Sequence, residues 1–109
     1  MKTVLFVCSQ NRLRSPTAEQ VFASRRNVQV ASAGLDKGCG NPVTPELVAW
    51  AGIIFVMEKA HRTKLSRQFR PWLKQARVIC LNIPDDYDFM DPALIRLLEA
   101  RVPPPLPAE

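Results

Sequence analysis

The chain has 109 residues, 47% of them hydrophobic and 23% charged, with a formal net charge of +5. That length supports one globular domain, read as residues 1–102 with a Pro-rich tail over 103–109, and the composition excludes collagenous, disordered and membrane-embedded classes. The positive balance favours anionic partners without choosing among a phosphorylated substrate, an acidic protein and nucleic acid.

The opening "MKTVLFVC" places one lysine before an apolar run that stops at a polar turn. The run is too short for a signal-peptide core or a membrane span, so a cytoplasmic protein with no membrane partner is expected. Strands are predicted over Thr3 to Cys8, Val28 to Ser32, Ile53 to Met57 and Arg77 to Ile83. The first and third are continuously apolar, as strands covered on both faces are. Helices are predicted over Pro16 to Arg26, Pro45 to Ala51, Lys59 to Arg70 and Pro92 to Arg101. Three of them begin with a polar residue followed by proline (Ser15-Pro16, Thr44-Pro45, Asp91-Pro92), a pairing that caps free amides and presets the helical φ.

Strand and helix therefore alternate. With right-handed crossovers this gives an α/β fold, an open four-stranded parallel sheet with helices on both faces. Ligands in such sheets sit beyond the carboxyl ends of the strands. "GLDKGCGNPVTP" (Gly34 to Pro45) reads as a loop, and the tail as extended or frayed.

The densest cations, Lys59, Arg62, Lys64, Arg67, Arg70, Lys74 and Arg77, surround Leu65, Phe69 and Leu73 at helical spacing. They read as the solvated face of an amphipathic helix; no nucleic-acid-binding motif accompanies them, so nucleic acid is not an expected partner. His61 falls in the same helix and reads as a surface residue. Cys8, Cys39 and Cys80 are odd in number and irregular in spacing, which indicates thiols rather than a disulfide framework or a metal site. Cys80 reads as core packing, and Cys39 lies in the glycine-rich loop.

The turn after the first strand carries the chemistry. In "VLFVCSQNRLRSPTAE" (Val4 to Glu19) five residues separate Cys8 from Arg14, and a helix follows. A loop of that length can wrap the amides of Ser9, Gln10, Asn11, Arg12, Leu13 and Arg14 around one tetrahedral anion, at the positive end of a helix dipole. The Arg14 guanidinium can close the ring by gripping two oxygens. The same donors suit a sulfur carrying negative charge, so Cys8 is a candidate nucleophile beneath a bound phosphate. Ser15 can cap the helix or give its hydroxyl to that sulfur. Asn11 tolerates the left-handed backbone that a tight cradle can require.

This stretch resembles the signature of the low-molecular-weight protein tyrosine phosphatases, C-x5-R followed by Ser-Pro directly after the first strand. The resemblance continues in order through "ASAGL" (Ala31 to Leu35), "AGIIFVME" (Ala51 to Glu58) and "IPDDY" (Ile83 to Tyr87). It implies a parallel sheet in the order 2-1-3-4 and a metal-independent phosphomonoester hydrolase working through a phosphocysteine, with no cofactor. Cys8 would be the nucleophile, Arg14 the phosphate ligand, Asn11, Ser15 and Ser32 the loop-ordering partners, and Asp85 the general acid. The implied substrate is a phosphotyrosine protein or another aryl phosphate.

The chain departs from the family pattern in its cradle. Leu13 stands where many members have a second cysteine, Gln10 replaces a glycine and Arg12 an apolar residue. The region between Gly34 and Ile53 is shorter than usual and lacks the aromatic after "SAG", which leaves Tyr87 as the rim aromatic. Four acids in "IPDDYDFMDP" compete for the proton role: Asp91 reads as a helix cap, Asp88 lies beyond Tyr87, and Asp85 leaves the strand first, with Asp86 the second choice. The rival functions are a phosphate-binding module without turnover and, further off, an arsenate reductase, which needs resolving cysteines that "VMEKAHR" does not supply.

Overall fold

The computed structural model describes residues 2–10, 13–36, 38–73 and 76–102. Asn11, Arg12, Lys74 and the Pro-rich tail lie outside the described residues. The elements run β1 (Lys2–Cys8), α1 (Arg14–Phe22), β2 (Val28–Gly34), α2 (Pro45–Trp50), β3 (Ile53–Val56), α3 (Lys59–Phe69), a 3-10 turn (Arg70–Trp72), β4 (Arg77–Cys80) and α4 (Pro92–Arg101). All strand pairs are parallel and the sheet order is β2-β1-β3-β4, as expected.

Side chains alternate across the central strand because the strand period is two. Val4, Phe6 and Cys8 face α1 and α4, where Ala18, Phe22, Leu94, Leu98 and Val102 complete one core. Phe6 stacks between Phe22 and Phe55, with ring centroids 5.9 and 5.4 Å away. Leu5 and Val7 point the other way, into a second core with Val48 of α2 and Leu65 of α3. The chain leaves β1 for β2 on one side and returns to β3 on the other. The crevice where strand order reverses thus opens at Cys8.

Capping follows the sequence at two of the three Ser/Thr/Asp-Pro pairs. Thr44 accepts the Leu47 amide on its Oγ1 at 3.1 Å, and Asp91 accepts that of Ala93 on Oδ1 at 2.9 Å. At α1 the expectation needs correcting: the helix begins at Arg14 with Leu13 as its N-cap residue, so Ser15 lies inside the first turn. Its hydroxyl is engaged with Cys8 instead, 2.9 Å from Sγ. The helix also stops at Phe22, four residues early, and Asn27, at φ 61°, turns the chain into β2.

β2 runs two residues past its expected end because Ala33 and Gly34 continue the ladder against Val7 and Cys8, and the loop that follows folds back on it. Gly34 donates to the Asn41 carbonyl and accepts from the Val43 amide, both at 2.9 Å. β4 ends at Cys80, three residues early, and Asn82 follows at φ 55°, although the Leu81 and Ile83 amides still reach Val56 and Met57. Among the described residues no helix is long and apolar enough to cross a membrane.

Candidate active site

β1 delivers Cys8, 3% exposed, to the carboxyl edge of the sheet. The backbone beyond it is held by β2 and its loop: Cys8 O accepts the Leu35 amide at 2.9 Å and Ser9 O that of Asp36 at 2.7 Å. Gly34, opposite Cys8 in the ladder, lets this turn lie directly on β2. A Cβ there would sit 2.8 Å from Ser9 O and 2.9 Å from both Gln10 C and Cys39 Sγ. Cys39, expected only somewhere in a loose loop, is thereby packed against the turn.

Arg14 is the first residue of α1, with a side chain 4% exposed. Its Nη1 donates to Glu58 Oε2 at 2.6 Å and to the Ile83 carbonyl at 2.8 Å. Its Nε lies 3.7 Å from Asp85 Oδ1. Both hydrogens of Nη1 are therefore committed, and the Nε and Nη2 edge remains for a ligand.

These groups share a cleft of about 460 Å3 lined, among the described residues, by Cys8, Ser9, Gln10, Leu13, Arg14, Asp36 and Asp85. A larger groove of about 830 Å3 runs along the basic face of α3, past Arg62, Arg67 and Arg70. Among the described residues its lining carries no cysteine, histidine or carboxylate, whereas the smaller cleft gathers Cys8, Arg14 and Asp85. The Asp85 segment is fixed at both ends, by buried Ile83 and by Met90, whose amide donates to Thr17 Oγ1 at 2.9 Å. Asp86 is exposed and does not line the cleft. Tyr87 does not line it either; the tyrosine packs against the α1/α4 core. Ser32 Oγ donates to Glu19 on α1, and its carbonyl accepts from the Asn41 side chain.

Two residues beside the cleft were not expected there. Glu58 braces Arg14. His61, expected at the surface, is buried: its Nε2 is 2.9 Å from Ser9 Oγ and its Nδ1 accepts the Glu58 amide at 3.1 Å. Burial first, and the Arg14 charge second, hold its pKa below the usual 6.5, against the opposing pull of Glu58, Asp36 and Asp85. The available signal was the spacing of an acid and a histidine three apart at a strand-to-helix junction, a capping-box arrangement.

The low molecular weight phosphotyrosine protein phosphatase family matches residues 3–71, more than half of the chain. The chain belongs to that family. Its members are metal-independent phosphatases that use a cysteine nucleophile, and the position of Cys8 at the end of β1 fits them. Solved structures share the fold. The low molecular weight protein tyrosine phosphatase SP-PTP from Streptococcus pyogenes is 18% identical at a TM-score of 0.76, over 92% of this chain and 90% of its own. The tyrosine phosphatase Wzb from Escherichia coli K30 is 20% identical at 0.71, over 92% of both chains. The YwlE arginine phosphatase from Geobacillus stearothermophilus is 18% identical at 0.71, over 91% and 89%. No curated protein matches by sequence.

Proposed function

We propose that the cleft over Cys8 hydrolyses aryl phosphates, phosphotyrosine in proteins foremost, with Cys8 as nucleophile, Arg14 as phosphate ligand and Asp85 as general acid. The observation that carries this reading is that the three side chains line one cleft, the carboxylate 3.7 Å from the guanidinium. Cys8 thiolate attacks phosphorus in line and the phosphorus–oxygen bond to the leaving group breaks. The leaving phenolate takes its proton from Asp85, and the same carboxylate then activates the water that releases phosphate from sulfur. Ser15 Oγ gives the thiolate a donor. The Nε and Nη2 edge of Arg14, with the amides of residues 9–14, offsets charge on the equatorial oxygens. The Asn11 and Ser32 assignments belong to this same reading, with Ser32 acting through its hold on α1.

A nearly buried Cys8 favours a phosphoryl group carried on a long, slim side chain. A phosphoguanidinium, the kind of group an arginine phosphatase releases, would meet Asp36 and Asp85 at the same mouth. Asp36 is engaged with Lys64 at 3.3 Å, which keeps the aryl ester as the first reading. A nucleophilic Cys8 has to stay reduced, which supports a cytoplasmic setting.

Cys8→Ser tests the assignment. It should abolish metal-free turnover of phenyl phosphate while inorganic phosphate still binds, since the amides and Arg14 remain. Undiminished hydrolysis would remove Cys8 from the mechanism, and phosphoarginine turning over faster than phosphotyrosine in the wild type would replace the substrate class.

A further inference from the structure

His61 has no part in the reaction as written, yet both of its ring nitrogens are engaged beside the cleft. Nδ1 accepts the Glu58 backbone amide at 3.1 Å. A neutral imidazole has one acceptor and one donor nitrogen, so the proton is on Nε2. Nε2 lies 2.9 Å from Ser9 Oγ and can only donate there. The Ser9 oxygen therefore accepts, and its own hydrogen is left to point away from the ring. Ser9 directly follows Cys8 and lines the cleft.

We propose that His61 is a positioning residue for the phosphate cradle: its tautomer, fixed by the first turn of α3, turns the Ser9 hydroxyl hydrogen into the cleft as a further donor to the bound oxyanion. The inference rests on the reading of this cleft as the site of phosphoryl transfer. A hydroxyl without such a partner rotates among its staggered positions and must be oriented anew by each ligand. Here the α3 cap does that work before the ligand arrives, the preorganisation that makes oxyanion donors effective.

The ring works only when neutral. A charged imidazolium would set an Nδ1 hydrogen against the Glu58 amide and open the start of the helix that braces Arg14. The groups facing it are Arg14 at the start of α1, Glu58 with its Oε2 at 3.9 Å, Asp36 after β2 and Asp85 after β4. Burial and Arg14 prevail over the carboxylates and keep the ring in its donor form at neutral pH.

The test is a double-mutant cycle over wild type, Ser9→Ala, His61→Asn and the pair. It reads affinity for inorganic phosphate and kcat/KM on phenyl phosphate. His61→Asn can still accept the Glu58 amide through Oδ1 but is too short to reach Ser9. Each single variant should weaken phosphate binding and kcat/KM about tenfold, the worth of one hydrogen bond to an anion. The double variant should be no worse than either single, because both remove the same hydrogen. His61→Gln, whose Nε2 reaches Ser9, should recover part of the loss, and His61→Ala replaces His61→Asn in the cycle if that variant does not fold.

Multiplying losses in the double variant, or wild-type phosphate affinity in His61→Asn, would overturn the proposal. The phosphate arm does not depend on turnover. If the wild type shows no Cys8-dependent hydrolysis, the phosphatase reading falls, while coupled losses of phosphate affinity still support the positioning role and independent ones still overturn it.

Discussion

The floor and the rim of the cleft are built differently. On the floor, the Arg14 side chain is 4% exposed and is braced by Glu58 at 2.6 Å and the Ile83 carbonyl at 2.8 Å. At the rim, the Asp85 side chain is 66% exposed and approaches the same guanidinium only to 3.7 Å. The proposed anion grip is thus braced before a substrate arrives, whereas the proposed proton donor sits between two anchors, Ile83 and Met90, in a stretch open to water. Floor changes should act on every substrate alike; rim changes should depend on what leaves.

The sharpest break of that contrast is Asp85→Asn. Loss of the acid should slow hydrolysis of phenyl phosphate by about 10² to 10⁴ and cost much less on a nitrophenyl ester, whose leaving group needs no proton. Steady-state rates on the two esters decide it. An equal loss on both would make Asp85 a structural partner of Arg14, and a selective collapse in Asp86→Asn would move the acid by one residue.

Arg14→Lys probes the floor. An ammonium cannot reproduce the planar two-oxygen grip or meet Glu58 and Ile83 together, so kcat/KM should fall by about 10² to 10³, by the same factor on both esters. Phosphate affinity should fall with it. A loss that varies with the leaving group would show that floor and rim act as one unit.

Gly34→Ala tests how the floor is held down. Its Cβ would press on Ser9 O, Gln10 C and Cys39 Sγ, two of them backbone atoms that move only with the turn. We expect a loss of about 1 to 3 kcal/mol in stability by denaturant titration, with reduced turnover. Wild-type activity at reduced stability would show that the turn tolerates displacement from β2.

The legible parts of this molecule are those encoded locally. Apolar runs gave the four strands, and the spacing from Cys8 to Arg14 placed both in one turn at the reversal of strand order. Ser15 admitted two readings, cap or thiol partner, and local pattern favoured the cap; the fold brings Cys8 Sγ to 2.9 Å and decides for the sulfur. The braces of the floor were not legible. Glu58 meets Arg14 across 44 residues and His61 meets Ser9 across 52, pairings created by the β1–β3 neighbourhood rather than by any period in the chain. The Ile83 brace is a backbone carbonyl, which has no side-chain signature at all. Tyr87, expected at the rim, shows a related effect: its ring packs against the core under α1 and α4, a contact that no local pattern encodes.

The smallest expected effect lies just beyond the rim, at Asp91. Its Oδ1 accepts the Ala93 amide at 2.9 Å and its carbonyl takes the Ile95 amide at 3.0 Å, the two bonds that start α4. Asparagine offers the same acceptor at the same reach, so Asp91→Asn keeps the cap. What it loses is a negative charge at the positive end of a ten-residue helix, worth about 0.3 to 1 kcal/mol and less in salt. The Asp91 carboxylate does not line the cleft, so kcat on either ester should stay at its wild-type value while the unfolding midpoint drops slightly. Asp91→Ala provides the contrast, because removal of the acceptor should cost about 1 kcal/mol while kcat still does not change. A fall in kcat with Asp91→Asn, larger on phenyl phosphate than on the nitrophenyl ester, would place the acid at the helix start and make Asp85 the bystander.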